Sequence, residues 1–265
     1  MLTANKQKWF ERLFDLYMKH SLLKRHFHRL EVKGDFYDDG IGEPDGNVSA
    51  TVSPPSAMQR DTSKGTLYMM NHSSWWDGLI VYYAARLASS RSHYMMMEEE
   101  QLRKYAFFRK LGAFSINKSN PKSMMASLRY SQELLEQGAS VWLFPQGDIY
   151  HQEARPLTFF SGAAYLAKQV TEAPVVPVTL YYSLTMHQKN EASLWLGDAL
   201  PADWKQLDRR EWTKRMEVHM EKQLDAHRSL VIAHARADSR PGFYPLFGKR
   251  PVTGRQATAK HKAGG

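Results

Sequence analysis

The sequence predicts an α/β protein: a mostly buried mixed sheet flanked by helices, with an N-terminal amphipathic helical segment. Three observations carry this. From Thr66 to Tyr182, short apolar runs alternate with helical stretches, the pattern of a layered sheet and its covering helices. Several of those runs are continuously apolar, as in Val141-Trp142-Leu143-Phe144, which marks strands covered on both faces. The chain has 265 residues, 43% of them hydrophobic, enough for a sizeable core.

The elements follow in order. Residues 5–30 read as helix, because Phe10, Leu13, Phe14 and Tyr17 recur at helical spacing and Leu22, Leu23 and Phe27 continue the face past a break near His20 and Ser21. Eight basic and three acidic residues between Lys6 and Lys33 give this segment a balance of +5. Such a face either binds a membrane interface or packs on the protein's own core. Residues 28–36 read as an edge strand, and 38–65, rich in Asp, Gly, Pro and Ser without any period, as a long loop.

Strands are then expected at 66–70, 92–97, 113–116, 140–144, 175–182 and 193–196. Helices are expected at 76–88, 98–111, 121–137, 159–170 and 202–233, with Gly138 as a stop signal. Trp212, Met216, Met220 and Leu224 share one face of the last helix and read as core. Three regions result: 1–30, a membrane-surface helical segment; 31–240, the α/β domain; and 241–265, a tail whose Lys249, Arg250, Arg255, Lys260 and Lys262 have no acidic neighbour.

Composition narrows the chemistry. Without cysteine there is no disulfide framework, thiolate metal site or cysteine nucleophile. The net charge of +9 favours an anionic partner: a membrane, a nucleic acid or a phosphorylated small molecule. No stretch reaches the ~18 apolar residues of a spanning helix, and Lys6, Lys8, Glu11, Arg12 and Asp15 interrupt any signal-peptide core.

Three runs carry chemistry, each at the end of an expected strand. In Asn71-His72-Ser73-Ser74-Trp75-Trp76-Asp77-Gly78, five residues of regular helix would rotate His72 and Asp77 by about 500° and hold them apart. They meet only if His72 lies in the strand-to-helix turn, where Ser73 or Ser74 caps the helix and Asp77 faces back. The carboxylate then holds one imidazole nitrogen while the other takes a proton, a general base without an adjacent protein nucleophile. In Phe144-Pro145-Gln146-Gly147-Asp148, proline and glycine build a turn whose N–H groups suit an oxyanion or a phosphate. In Gly112–Lys118 a strand leads into a cation where open α/β sheets bind ligands. Taken singly, each run has an ordinary reading: a surface histidine, a common turn, a solvated lysine.

Together and in this order, the runs resemble the motifs of the glycerolipid acyltransferase family, which includes the lysophosphatidic acid acyltransferases. Asn71-His72…Asp77 is similar to its NHxxxxD box, Gly112–Lys118 to its second box, Phe144–Gly147 to its Phe-Pro-Glu-Gly box, and Val175-Val176-Pro177-Val178 to its fourth. The resemblance covers roughly residues 31–200. It implies transfer of a fatty acyl chain from acyl-CoA or acyl-carrier protein to a lipid hydroxyl, such as that of a lysophospholipid. It implies His72 and Asp77 as the catalytic pair, and Asn71, Gly112, Lys118, Phe144, Pro145, Gln146 and Gly147 as substrate-binding. No cofactor or metal is implied beyond the acyl donor as substrate, and no nucleic acid; the protein would sit peripherally on the cytoplasmic face of a membrane.

The sequence departs from that pattern in the acceptor boxes. Lys118 stands where arginine is usual, keeping the charge but not the bidentate fork. Gln146, Asp148 and Ile149 replace glutamate, a hydroxyl residue and arginine, and Arg155 is the cation expected to compensate. The altered pocket opens an alternative, a neutral lipid or glycolipid acceptor, or a non-catalytic lipid-binding relative. A nucleic-acid binder has only the charge in its favour, and a metal hydrolase lacks a third ligand at motif spacing.

Overall fold

A computed structural model of the chain describes residues 1–37, 64–170 and 172–247. The expected loop thus falls mostly outside the described residues, as do all five tail cations.

The centre is one eight-stranded mixed sheet. Its strands are β1 (Phe27–Lys33), β2 (Leu67–Met70), β3 (His93–Glu98), β4 (Ala113–Ile116), β5 (Ser140–Leu143), β6 (Val175–Ser183), β7 (Asn190–Leu196) and β8 (Phe243–Phe247). Their order is β4-β3-β5-β2-β6-β7-β1-β8. The first five in that order run parallel to one another, β6–β7 and β1–β8 are antiparallel, and β1 lies parallel to β7.

Alternation along the strands builds two cores. Leu67 and Met69 of β2 and Val141 and Leu143 of β5 face one layer, with α5 (Pro121–Glu136), α6 (Gly162–Gln169) and α7 (Arg209–Ala233) over them. Tyr68 and Met70 of β2 and Trp142 of β5 face the other, under α1 (Lys8–Tyr17), α2 (Leu23–His26) and α3 (Asp77–Ala88). Trp212, Met216, Met220 and Leu224 of α7 are all buried, as their spacing predicts.

Several expectations need correction. The N-terminal helix ends at His26, not residue 30, and a π-helical turn at Met18–Leu22 takes the place of a break. Its apolar residues divide: Phe14 and Met18 pack on the core, whereas Leu13 and Tyr17 are exposed. Strand β1 is not at the edge, because Phe243–Phe247, expected as tail, pairs with it as β8. The helix expected at 98–111 splits into α4 (Glu99–Lys104) and a 3₁₀ turn at Ala106–Leu111. That break turns Phe107 toward Phe14 of α1 and Phe108 toward a cavity beside the sheet.

Candidate active site

The cavity, about 750 Å³, opens beside the carboxyl ends of β3, β4 and β5. Most of its wall is apolar: Leu79 of α3, Met95 and Met97 of β3, Phe108, and Met125 and Leu128 of α5. Methionine suits a slot for a flexible apolar ligand, since its unbranched thioether adapts to varied shapes. His72 stands in the wall, between β2 and α3.

The His72 turn is held from every side. Its ring nitrogen Nδ1 lies 2.8 Å from Asp77 Oδ2, and the same oxygen accepts the N–H groups of Ser73 at 2.7 Å and Ser74 at 3.0 Å. The aspartate, not either serine, satisfies the turn leading into α3; the Ser74 hydroxyl accepts only the Trp76 N–H. The His72 N–H donates to Gln146 Oε1 at 2.8 Å, and its carbonyl accepts the Tyr150 N–H at 2.9 Å. Phe144 stacks on the imidazole, ring centres 4.3 Å apart. With Nδ1 engaged by a buried carboxylate, Nε2 is the nitrogen left to exchange a proton.

The other expected site residues divide. Phe144, Pro145, Gly147 and Lys118 line the cavity with His72. Gly147, at φ +73°, brings its backbone against Phe160, whose ring a β-carbon would strike. Asn71 does not line the cavity: it is buried, and both ends of its amide hold the Leu180 backbone of β6, at 3.0 and 2.8 Å. Gly112 serves a left-handed turn at φ +107°, where a side chain would meet the His93 carbonyl.

Gln146 is buried, and its carbonyl oxygen is taken by His72 rather than offered to a ligand. Arg155 does not compensate for the missing cation. It lies outside the cavity wall, paired with Asp225 at 2.6 Å and donating to the carbonyls of Gln152 and Ala154.

The anion-binding potential expected of the 144–150 turn is largely spent internally. The Gly147 N–H donates to Phe144, Ile149 to the Asp148 carboxylate and Tyr150 to His72. Lys118 sits 3.0 Å from the Glu98 carboxylate and donates to the Gly147 carbonyl at 2.7 Å. Among the described residues the charged groups lining the cavity are Glu98, Asp148, Lys118 and Arg209, two of each sign.

Sequence reasoning missed Tyr182, whose hydroxyl donates to Asp77 Oδ1 at 2.6 Å from the end of β6. A tyrosine far down the chain at a strand end carries no local signal. One group of possible metal ligands exists among the described residues, His28, His187 and Glu191. None of the three lines the cavity, and Arg29 and Arg240 already occupy the Glu191 carboxylate.

Compared with known families, residues 50–181 match the family model Acyltransferase. No curated protein matches the chain significantly.

Proposed function

The chain belongs to the acyltransferase family, and on that premise we propose that it moves a fatty acyl chain from a thioester, acyl-CoA or acyl-carrier protein, to the hydroxyl of a lipid. The observation that carries the reading is the His72–Asp77 pair at 2.8 Å on the wall of an apolar cavity. His72 Nε2 takes the hydroxyl proton as the acceptor oxygen attacks the thioester carbonyl. Asp77 holds the Nδ1 proton and stabilises the imidazolium. The tetrahedral intermediate then collapses, the carbon–sulfur bond breaks, and His72 returns the proton to the leaving thiolate. The methionine-rich wall takes the hydrocarbon.

One observation favours the neutral acceptor over a lysophospholipid. A phosphate monoester brings about two negative charges at neutral pH, and such ligands are met by free cations or helix N-termini. Among the described residues the charges lining the cavity balance, Lys118 is paired with Glu98 and Arg155 faces Asp225, which leaves Arg209 at the start of α7 as the one lining cation without a carboxylate partner, fewer than two phosphate charges call for. A hydroxyl-rich acceptor without phosphate, such as a glycosylated or simple neutral lipid, suits that wall better.

Membrane attachment belongs to the same reading. No helix among the described residues is long and apolar enough to cross a bilayer. The outer side of α1, however, exposes Trp9, Leu13, Leu16 and Tyr17, and Trp75, Ile149 and Phe160 are exposed where they line the cavity. A peripheral position on the cytoplasmic face would let lipid substrates enter from the bilayer.

The test is transfer of labelled acyl chain from acyl-CoA to lysophosphatidic acid and to neutral glycolipid and monoacylglycerol acceptors in mixed micelles. Neutral acceptors are expected to turn over faster, and folded His72→Ala to lose about 10²–10⁴-fold. Lysophosphatidic acid as the better substrate would overturn the acceptor; wild-type rates in His72→Ala would overturn the mechanism.

A further inference from the structure

The two oxygens of Asp77 are treated differently. Oδ2 faces His72 and the Ser73 and Ser74 N–H groups. Oδ1 accepts from Tyr182, a hydroxyl brought in by β6.

Tyr182 is fixed by more than its ring. Gln152, in the loop after the Phe144–Gly147 turn, grips its backbone with both ends of an amide: Nε2 donates to the Tyr182 carbonyl and Oε1 accepts its N–H, each at 3.0 Å. Two residues earlier Asn71 does the same to Leu180. Each motif turn is therefore stitched to the end of β6 by a two-bonded clamp, and the tyrosine hydroxyl reaches Asp77 from a backbone held at Leu180 and Tyr182. Burial, reinforced by the Asp77 charge, pushes the Tyr182 hydroxyl well above its ordinary range, so it remains a proton donor. The Ser74 hydroxyl works the other way, interacting with the Tyr182 oxygen. A chain of contacts results, Ser74 to Tyr182 to Asp77 to His72.

The geometry points to Tyr182 as a positioning residue for the acyl transfer, one that sets the rotation of the Asp77 carboxylate and moderates the charge it offers His72. This rests on His72 acting as the base. A hydrogen bond to Oδ1 draws charge away from Oδ2, so the imidazolium formed in the reaction is stabilised less. Without the tyrosine hydroxyl the carboxylate charge concentrates toward His72 and favours the imidazolium over the neutral ring, and the carboxylate loses the bond from β6 that fixes its rotation. Among the described residues the other titratable groups near this chain are Glu98 of β3, Lys118, Asp148, Arg209, Tyr82 and Tyr165 around the cavity, and His26 of α2 against Trp76. All are common to wild type and variants, so a difference between profiles reports on the chain itself.

The experiment compares kcat and KM against pH for wild type, Tyr182→Phe and Ser74→Ala, with acyl-CoA and whichever lipid acceptor turns over fastest. In Tyr182→Phe the acid limb of the kcat/KM profile is expected to move up by about half to one pH unit, with a plateau kcat about tenfold lower and KM for the donor within about twofold. Ser74→Ala, at a half-buried position where it also gives up the acceptor of the Trp76 N–H, should move the limb the same way by less, because it weakens the tyrosine as a donor. If Tyr182→Phe does not fold, Ser74→Ala decides alone. An acid limb at the wild-type position in the folded variants would overturn the inference and leave Tyr182 a packing residue. A wild-type profile with no acid limb would instead overturn His72 as base, and this inference with it.

Discussion

His72 is placed by its backbone as much as by its ring. Gln146 takes its N–H, the Tyr150 N–H takes its carbonyl, and Asp77 and Phe144 hold the imidazole. Glutamine suits this position, where the resembled motif carries glutamate, since the role visible here is accepting one backbone N–H, and an amide oxygen does that as well as a carboxylate. Gln146→Glu is therefore expected to keep kcat/KM within a few-fold of wild type. Gln146→Leu strands a half-buried N–H, at about 1–3 kcal/mol, and frees the turn. A misplacement of about 1 Å costs on the order of 100-fold in rate, so steady-state transfer should fall by that order; a leucine variant at wild-type rate would remove Gln146 from the account. Sequence reasoning found His72 and Asp77 because both partners sit in one turn, within five residues. It did not anticipate what Asn71 and Gln146 hold, because their partners, Leu180 and His72, are 109 and 74 residues away, and no local pattern encodes such a hydrogen bond.

At the scale of elements, the sheet was legible because its strands are covered on both faces and read as continuous apolar runs; β4 falls at 113–116 as expected. Strand β8 was not, since it is a short edge strand carrying a proline, and its pairing with β1 exists only in the fold. The N-terminal helix was legible as amphipathic, but spacing alone does not say which apolar residues face in. The structure divides them: Phe14 packs on the core, while Trp9 is 62% exposed and Leu13 and Leu16 57% each.

That division also decides how attachment can be tested. Removing the segment would take out Met18, Leu23 and Phe27 of the core, together with the pairing of Leu2 to Ser115. Surface substitution is cleaner. Replacing Trp9, Leu13 and Leu16 by serine should leave the thermal midpoint nearly unchanged and weaken co-sedimentation with anionic vesicles by at least about tenfold, since each buried apolar side chain contributes about 1.5–3 kcal/mol. The flanking Arg12 and Lys19 add about 1 kcal/mol apiece near an anionic surface, so raised salt should weaken the wild type as well. Equal sedimentation of triple variant and wild type would rule α1 out as the membrane face.

At the scale of the whole molecule, stability against acid depends on protons that the folded chain refuses. His93 accepts the Trp142 indole N–H at Nδ1 and contacts Ser89 through Nε2; burial, with Lys6, Arg91 and Arg86 nearby, pushes it down to about 3. His227 lies between Thr179 and Ser193, and burial, with Arg240 and Lys33, pushes it likewise to about 3. In the unfolded chain both titrate near the ordinary value of about 6.5. Above that pH neither state binds the protons and stability does not change on their account. Between about 6.5 and 3 the unfolded chain binds two protons that the folded chain does not, so folding weakens as pH falls. From pH 6.5 to 5 the two together remove about 3 kcal/mol, a large share of the 5–15 kcal/mol of an ordinary domain. Glu191 acts further down the scale. Burial works to raise it, but Arg29 and Arg240 overrule burial and hold it below the usual carboxylate range, so its contribution is lost only at lower pH. Urea midpoints at pH 7 and pH 5 check this: His93→Gln and His227→Gln should each start less stable at pH 7, yet lose about half as much as wild type on going to pH 5. If either variant shows the full wild-type loss, that histidine is not excluded from protonation by the fold, and the acid sensitivity has another source.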